Sequence, residues 1–203
     1  VDEAPLYETM RTAGSRRRFT PEPVSDEQVR ALIEAAICAP NARNGQIWSF
    51  IAVREAETRA QIAAIYRQAW YDSMTAALQT PAGSEEEARD RRSWRYLADH
   101  MAEAPLLIFA CLRGPAPSEP PRAAYYYGSI FPAVQNLILA ARGMGLGTTL
   151  TTVHKNREPQ VREVLGVPES IDLVALIPVG RPVNPFTPVR RRPAAEFLHL
   201  EHW

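Results

Sequence analysis

With 203 residues, 46% of them hydrophobic, the chain is long enough to bury the core of one domain of ordinary size. Its 23 basic and 23 acidic side chains cancel, so no excess of positive charge points to nucleic acid or an anionic membrane as the main partner. The apolar runs are of strand length, well short of the roughly 20 residues that span a bilayer. Cys38 and Cys111 lack any C-x-x-C or metal-ligand spacing, and they read as buried thiols of a reducing compartment, the cytoplasm.

In chain order, residues 5–12 read as a short helix that Gly14 ends before a run of three arginines, Arg16, Arg17 and Arg18, beside Ser15. Pro21 and Pro23 keep the next stretch extended, because the residue before a proline is pushed out of the α region. Ser25 and Gln28 then form a capping-box pattern, and Val29, Leu32, Ile33, Ala36 and Ile37 recur at helical spacing. Pro40 stops this helix and exposes a loop of polar side chains, Asn41 to Gln46, before an apolar, partly β-branched strand over residues 48–53.

Residues 56–79 are helical, and residues 85–92 are a mixed charge run that reads as a solvated helix face. Trp94, Leu97 and Met101 continue that helix, and a strand follows over residues 106–112. The proline-rich stretch 114–121 must be a loop and has the character of a lid. Residues 123–142 form a buried helix, 148–153 a strand, and Asn156 caps a short helix that Gly166 closes. Residues 171–179 form the last strand. The prolines at 182, 185, 188 and 193 leave residues 181–203 as a C-terminal arm suited to packing on a partner. Helices outnumber four widely spaced strands, so the expected fold is α+β, one central sheet surrounded by helices in a single unit, 1–203.

The glycines of Gly143-Met144-Gly145-Leu146-Gly147 follow a helix and precede a strand, the reverse of a dinucleotide-binding turn, so they read as a tight connection. His154 lies at a strand end and is a weak site candidate. The arginines at 16–18 and at 190–192 each read as a solvated segment or as half of an anion site, and together they could grip one phosphate.

Several motifs, in order and over nearly the whole chain, resemble the FMN-dependent nitroreductase family. Ser15-Arg16-Arg17-Arg18-Phe19 followed by Glu22-Pro23-Val24 is similar to that family's S-x-R-x-F and E/D-P-V signature. The stretch Ala39-Pro40-Asn41-Ala42-Arg43-Asn44-Gly45-Gln46-Ile47-Trp48-Ser49-Phe50 resembles its A-P-S-x-x-N-x-Q-P-W-x-F loop. The core helix around Pro132-Ala133-Val134-Gln135-Asn136, the turn Gly145-Leu146-Gly147-Thr148, Leu165-Gly166-Val167-Pro168 and the closing Val179-Gly180-Arg181-Pro182 also fit.

The resemblance implies an intertwined homodimer with a central antiparallel or mixed sheet, and FMN bound at the subunit interface. It places Ser15 and Arg16 near the phosphate and Arg17 at the N1 and O2 edge of the flavin. Asn41 and Asn44 would come from the partner subunit, Leu150, Thr151 and Thr152 would flank the ring, and Arg190 or Arg191 would reach the phosphate. The implied activity is ping-pong hydride transfer from NADPH or NADH to a small-molecule acceptor, a nitroaromatic or a quinone, with Arg17 stabilising the reduced flavin. Same-fold alternatives are a flavin destructase or dehalogenase. A non-catalytic flavin-binding or storage protein and a flavin-free interaction protein also remain open. Ala13 and Gly14 stand where many family members carry basic residues, and Ile47 stands where they have proline.

Overall fold

The computed structural model describes residues 5–203, apart from the side chains of residues 76 and 77, so the first four residues of the expected unit lie outside it. Two of the most apolar stretches set its centre. β2 (Leu106–Arg113) is buried at every position but its last, and β4 (Ile171–Gly180) at every position but its first. They pair antiparallel, with Leu106 opposite Val179 and Arg113 opposite Ile171. β1 (Trp48–Val53) joins the free edge of β2, and β3 (Gly147–Thr148) joins the free edge of β4. The order is β1-β2-β4-β3 with every pair antiparallel, so of the two expected sheet types the chain forms the antiparallel one.

Because side chains alternate along a strand, one strand feeds two cores. Leu106, Ile108 and Leu112 of β2 pack with Leu32 of α2 (Asp26–Ile37) and Leu137 of α5 (Pro120–Gly143) on one face. Leu107 and Phe109 pack on the other face with Ile62 of α3 (Ala56–Gln79), Leu97 of α4 (Glu85–His100) and Val161 of α6 (Glu158–Leu165). Each such fully buried side chain contributes about 1.5–3 kcal/mol. The capping box forms as read, with Gln28 N–H donating to Ser25 Oγ and Ser25 N–H to Gln28 Oε1. The expected N-terminal helix is α1 (Pro5–Thr12).

Three local readings change. The strand expected over 148–153 is only β3 plus an isolated bridge from Thr151 to Leu176, because a 3-10 turn over Val153–Arg157 bends the chain away. That turn contains Asn156, and α6 starts after Arg157 instead. Cys38 is exposed rather than buried, since it follows the last turn of α2, whereas Cys111 is buried in β2. Among the described residues no helix is long and apolar enough to cross a membrane, and no cluster of acidic, histidine or cysteine side chains could hold a metal.

His154 is a core residue, fully buried with Nε2 2.8 Å from the Leu173 carbonyl and its ring edge-on to Phe109. Burial lowers its pKa from the ordinary 6.5 to about 4. A group depressed on folding stabilises the native state fully above 6.5, and that contribution is lost as pH falls toward 4. Urea unfolding is therefore expected to show about 2 kcal/mol less stability at pH 5 than at pH 7, and His154→Leu should lack that step. Equal pH slopes in the two proteins would show that His154 does not titrate this way.

Candidate functional site

Residues 13–20 form an extended strip held along both edges. Arg16 N–H donates to the Thr148 carbonyl at 2.7 Å, joining the strip to β3. On the other side the chain returns after β4: Thr20 N–H donates to Arg181, Val183 N–H to Arg18 and Val189 N–H to Arg11, at 2.8, 3.1 and 2.7 Å. Two glycines allow this close fit. A Cβ on Gly147 would lie 2.7 Å from Arg16 Cβ, and one on Gly14 would lie 2.9 Å from Val189 Cγ1. The absence of a large basic side chain at position 14 thus has a packing reason.

This strip opens a cleft of about 380 Å³ whose lining includes Arg16, Arg17, Arg18, Arg89 and Arg92 and no carboxylate. Arg16 Nε is buried without a hydrogen-bond partner. Desolvation, then the charge of Arg142, lowers the Arg16 pKa. Both guanidinium groups lie over the Phe186 ring, at 5.2 and 4.1 Å. Arg17 donates to Ser93 Oγ at 3.1 Å, and desolvation lowers its pKa while Tyr66 and Asp90 act the other way. An arginine remains charged under such shifts, so the cleft holds several cations and, at Arg16 Nε, a buried donor without an acceptor.

Arg17 also lines a neighbouring cleft of about 300 Å³ with Thr149, Leu150, Thr151, Thr152 and an aromatic wall that includes Trp70 and Trp94. Tyr66, 2% exposed, shares a hydrogen bond of 2.9 Å with Thr151 Oγ1. Its burial raises its pKa, so the phenol stays protonated and holds the threonine hydroxyl in place.

The chain therefore brings together Ser15, Arg16 and Arg17 with Leu150, Thr151 and Thr152. Arg190 and Arg191 are exposed and line neither cleft; the Arg191 guanidinium donates to the Arg190 carbonyl at 2.8 Å. Asn41 and Asn44 are elsewhere. They precede β1, one edge of the sheet, whereas Arg16 pairs with β3, the other edge, and the register sets the two at opposite ends of β4 as well, Trp48 in line with Asp172 through Leu112 and Thr148 opposite Val179. Their loop has positive φ at Arg43, Asn44 and Gln46. It is tied by Gln46 N–H to Asn41 Oδ1 and by Ala42 N–H to Ser129 Oγ, at 2.9 and 3.1 Å. Such strain persists only where surroundings enforce it, and it gathers at functional loops. The loop and residues 115–119 border a third cleft of about 850 Å³.

The helix α4 was expected, but its part in lining the site was not. Arg89, Arg92, Ser93 and Tyr96, from the charge run read as solvated and the turn after it, line the basic cleft. Their i, i+3, i+4, i+7 spacing places them on one helix face and was the signal available.

A phosphate matches this arginine-lined, carboxylate-free cleft, and a planar ring matches the threonine- and tryptophan-lined cleft that Arg17 joins to it. Ser15, Arg16 and Arg17 thus fit FMN at its phosphate end and at the start of its ring. The comparisons with known proteins bear on the family. A nitroreductase family model matches residues 10–181. A protein of Methanothermobacter thermautotrophicus, provisionally named NADH dehydrogenase/NAD(P)H nitroreductase, is 26% identical over all of this chain and 90% of its own length. Iodotyrosine deiodinase of Danio rerio is 28% identical over 88% of this chain and 60% of its own. The crystal structure of an oxidized iodotyrosine deiodinase bound to FMN and 3-iodo-L-tyrosine superposes with a TM-score of 0.75, at 25% identity over 93% of this chain and 95% of that one. Spanned by the family model from the last helical turn before the arginine strip to the end of the sheet, the chain belongs to the nitroreductase family.

Proposed function

We propose that the protein is an FMN-dependent oxidoreductase that takes electrons from NADPH or NADH and passes them to a small-molecule acceptor, two copies of the chain completing each site. The observation that carries this reading is the carboxylate-free arginine cleft that opens, through Arg17, onto the cleft of residues 149–152. FMN, when bound, supplies the hydride chemistry. Ser15 and Arg16 hold the phosphate. Arg17, fixed by Ser93 and partly desolvated, is a cation with little screening, and it favours negative charge on a ring placed against it. Tyr66 keeps the Thr151 hydroxyl directed along one line.

Asn41 and Asn44 enter this scheme from a second copy, since within one chain they lie at the opposite sheet edge. One open site then receives donor and acceptor in turn, so the kinetics are ping-pong. A dehalogenase reading has its own support, the likeness to the FMN-bound iodotyrosine deiodinase. Anaerobic halide release from a halogenated phenol tests it.

Protein incubated with FMN and freed of excess should keep the flavin absorbance bands and bleach on anaerobic addition of NADPH or NADH. A yellow protein that neither nucleotide bleaches would make it a flavin binder, and a colourless one would remove FMN from the scheme. Arg17→Gln is expected to retain FMN but lower its two-electron midpoint potential by roughly 30–60 mV, equivalent to about 1.4–2.8 kcal/mol. An unchanged potential would dismiss the electrostatic role of Arg17.

A further inference from the structure

The turn after β3 is held at two separate points. Its backbone is clamped to β4, with Thr151 N–H donating to the Leu176 carbonyl and Leu176 N–H to the Thr151 carbonyl, both at 2.9 Å. Its side chain is held by α3, where Tyr66 Oη lies 2.9 Å from Thr151 Oγ1. Main chain and hydroxyl oxygen are thus fixed independently, and Thr151 presents a polar atom of set position on the wall of the ring cleft.

The direction of the Tyr66–Thr151 hydrogen bond follows from counting hydrogens. Each hydroxyl has one O–H to give, and a threonine oxygen has two lone pairs. One contact uses only one of the two hydrogens, so the other needs an acceptor elsewhere. Tyr66 is 2% exposed and has no further hydrogen-bond partner among the described residues. A phenol that accepted from Thr151 would leave its own hydrogen buried and unmet, which is costly. Thr151 is half-buried and lines the cleft, where a ligand can meet its hydrogen. Tyr66 is therefore the donor. Thr151 Oγ1 also receives the Val153 N–H, at 3.4 Å, so both of its lone pairs are engaged. What the hydroxyl has left to offer is its O–H.

Arg17 lines the same cleft and can likewise only donate. The cleft thus sets two donors of fixed place against whatever ring enters it, and it suits a ring whose polar edge accepts. From this order of hydrogen bonds, and resting on the oxidoreductase reading above, we infer that Tyr66 is a positioning residue: it makes the Thr151 hydroxyl a one-way donor to an acceptor atom, an imine nitrogen or a carbonyl oxygen, of the bound flavin ring.

The test titrates the full chain, freed of flavin, with FMN and with riboflavin, which has the ring but no phosphate. Thr151→Val removes the hydroxyl at nearly constant volume and is expected to weaken both ligands alike, by about five- to tenfold, the worth of one hydrogen bond. Competition by inorganic phosphate should not change. Tyr66→Phe keeps an aromatic ring in the core but lets Thr151 turn, and it should weaken both flavins by roughly two- to threefold. In the Tyr66→Phe/Thr151→Val double variant the loss should equal that of Thr151→Val alone. The visible absorbance band of bound FMN, which responds to hydrogen bonds on the ring, should move in Tyr66→Phe toward its position in Thr151→Val. Thr151→Ser, which keeps a hydroxyl, should bind both flavins more tightly than Thr151→Val. An added loss from Tyr66→Phe in the Thr151→Val background would show that the tyrosine acts by packing, and would overturn the inference. Tighter flavin binding by Tyr66→Phe would overturn it too, since Thr151 would then donate to the phenol in the unaltered protein. So would flavin affinities and an absorbance band that neither substitution moves. If the unaltered protein takes up neither FMN nor riboflavin, the oxidoreductase reading itself fails.

Discussion

Much of the structure depends on the pairing of β2 with β4. Both strands are buried on both faces, so their backbone groups have only each other and the outer strands as partners, and an unpaired buried amide or carbonyl is costly. The alternation of their side chains separates the two cores, and the helices follow from the need to cover each. The site derives from the same pairing. The turn after β3 hangs from β4 through the Thr151–Leu176 bridge, and the chain leaving β4 runs back along the arginine strip. Threonines and arginines meet because both are tied to one strand.

Much of this could be read from the sequence, and for identifiable reasons. Strands of continuous apolar residues, a Ser25 capping box and a left-handed Gly166 are local signals, and each formed as read. What failed were readings that tertiary context decides. Residues 148–153 have strand composition, yet a 3-10 turn interrupts the ladder. His154 has the polarity of a site residue and the burial of a core one, because its ring packs on Phe109.

The site was legible in part. Ser15 to Arg17 and residues 150–152 could be located by resemblance, and the fold brings them together. Arg89, Arg92 and Tyr96 could not be singled out without knowing which side of α4 faces the strip. A charged helix face looks the same in sequence whether it meets water or a cleft. The zero net charge concealed the same feature, since the carboxylates that balance these arginines lie outside the cleft lining.

The return of the chain along its own beginning has a consequence for how the protein is made. β4 fills an interior position of the sheet although it is the last strand in sequence, and Pro182 and Asn184 complete the wall of a cleft begun by Ser15. A ribosome-bound chain that has not yet released residues 171–184 holds the arginine strip with one edge unpaired and the sheet without an inner strand. Closure of such long-range contacts carries a large loop entropy and is slow. The binding cleft is therefore complete only once residues 182–184 have left the ribosome, and loading with a phosphorylated ligand follows their emergence.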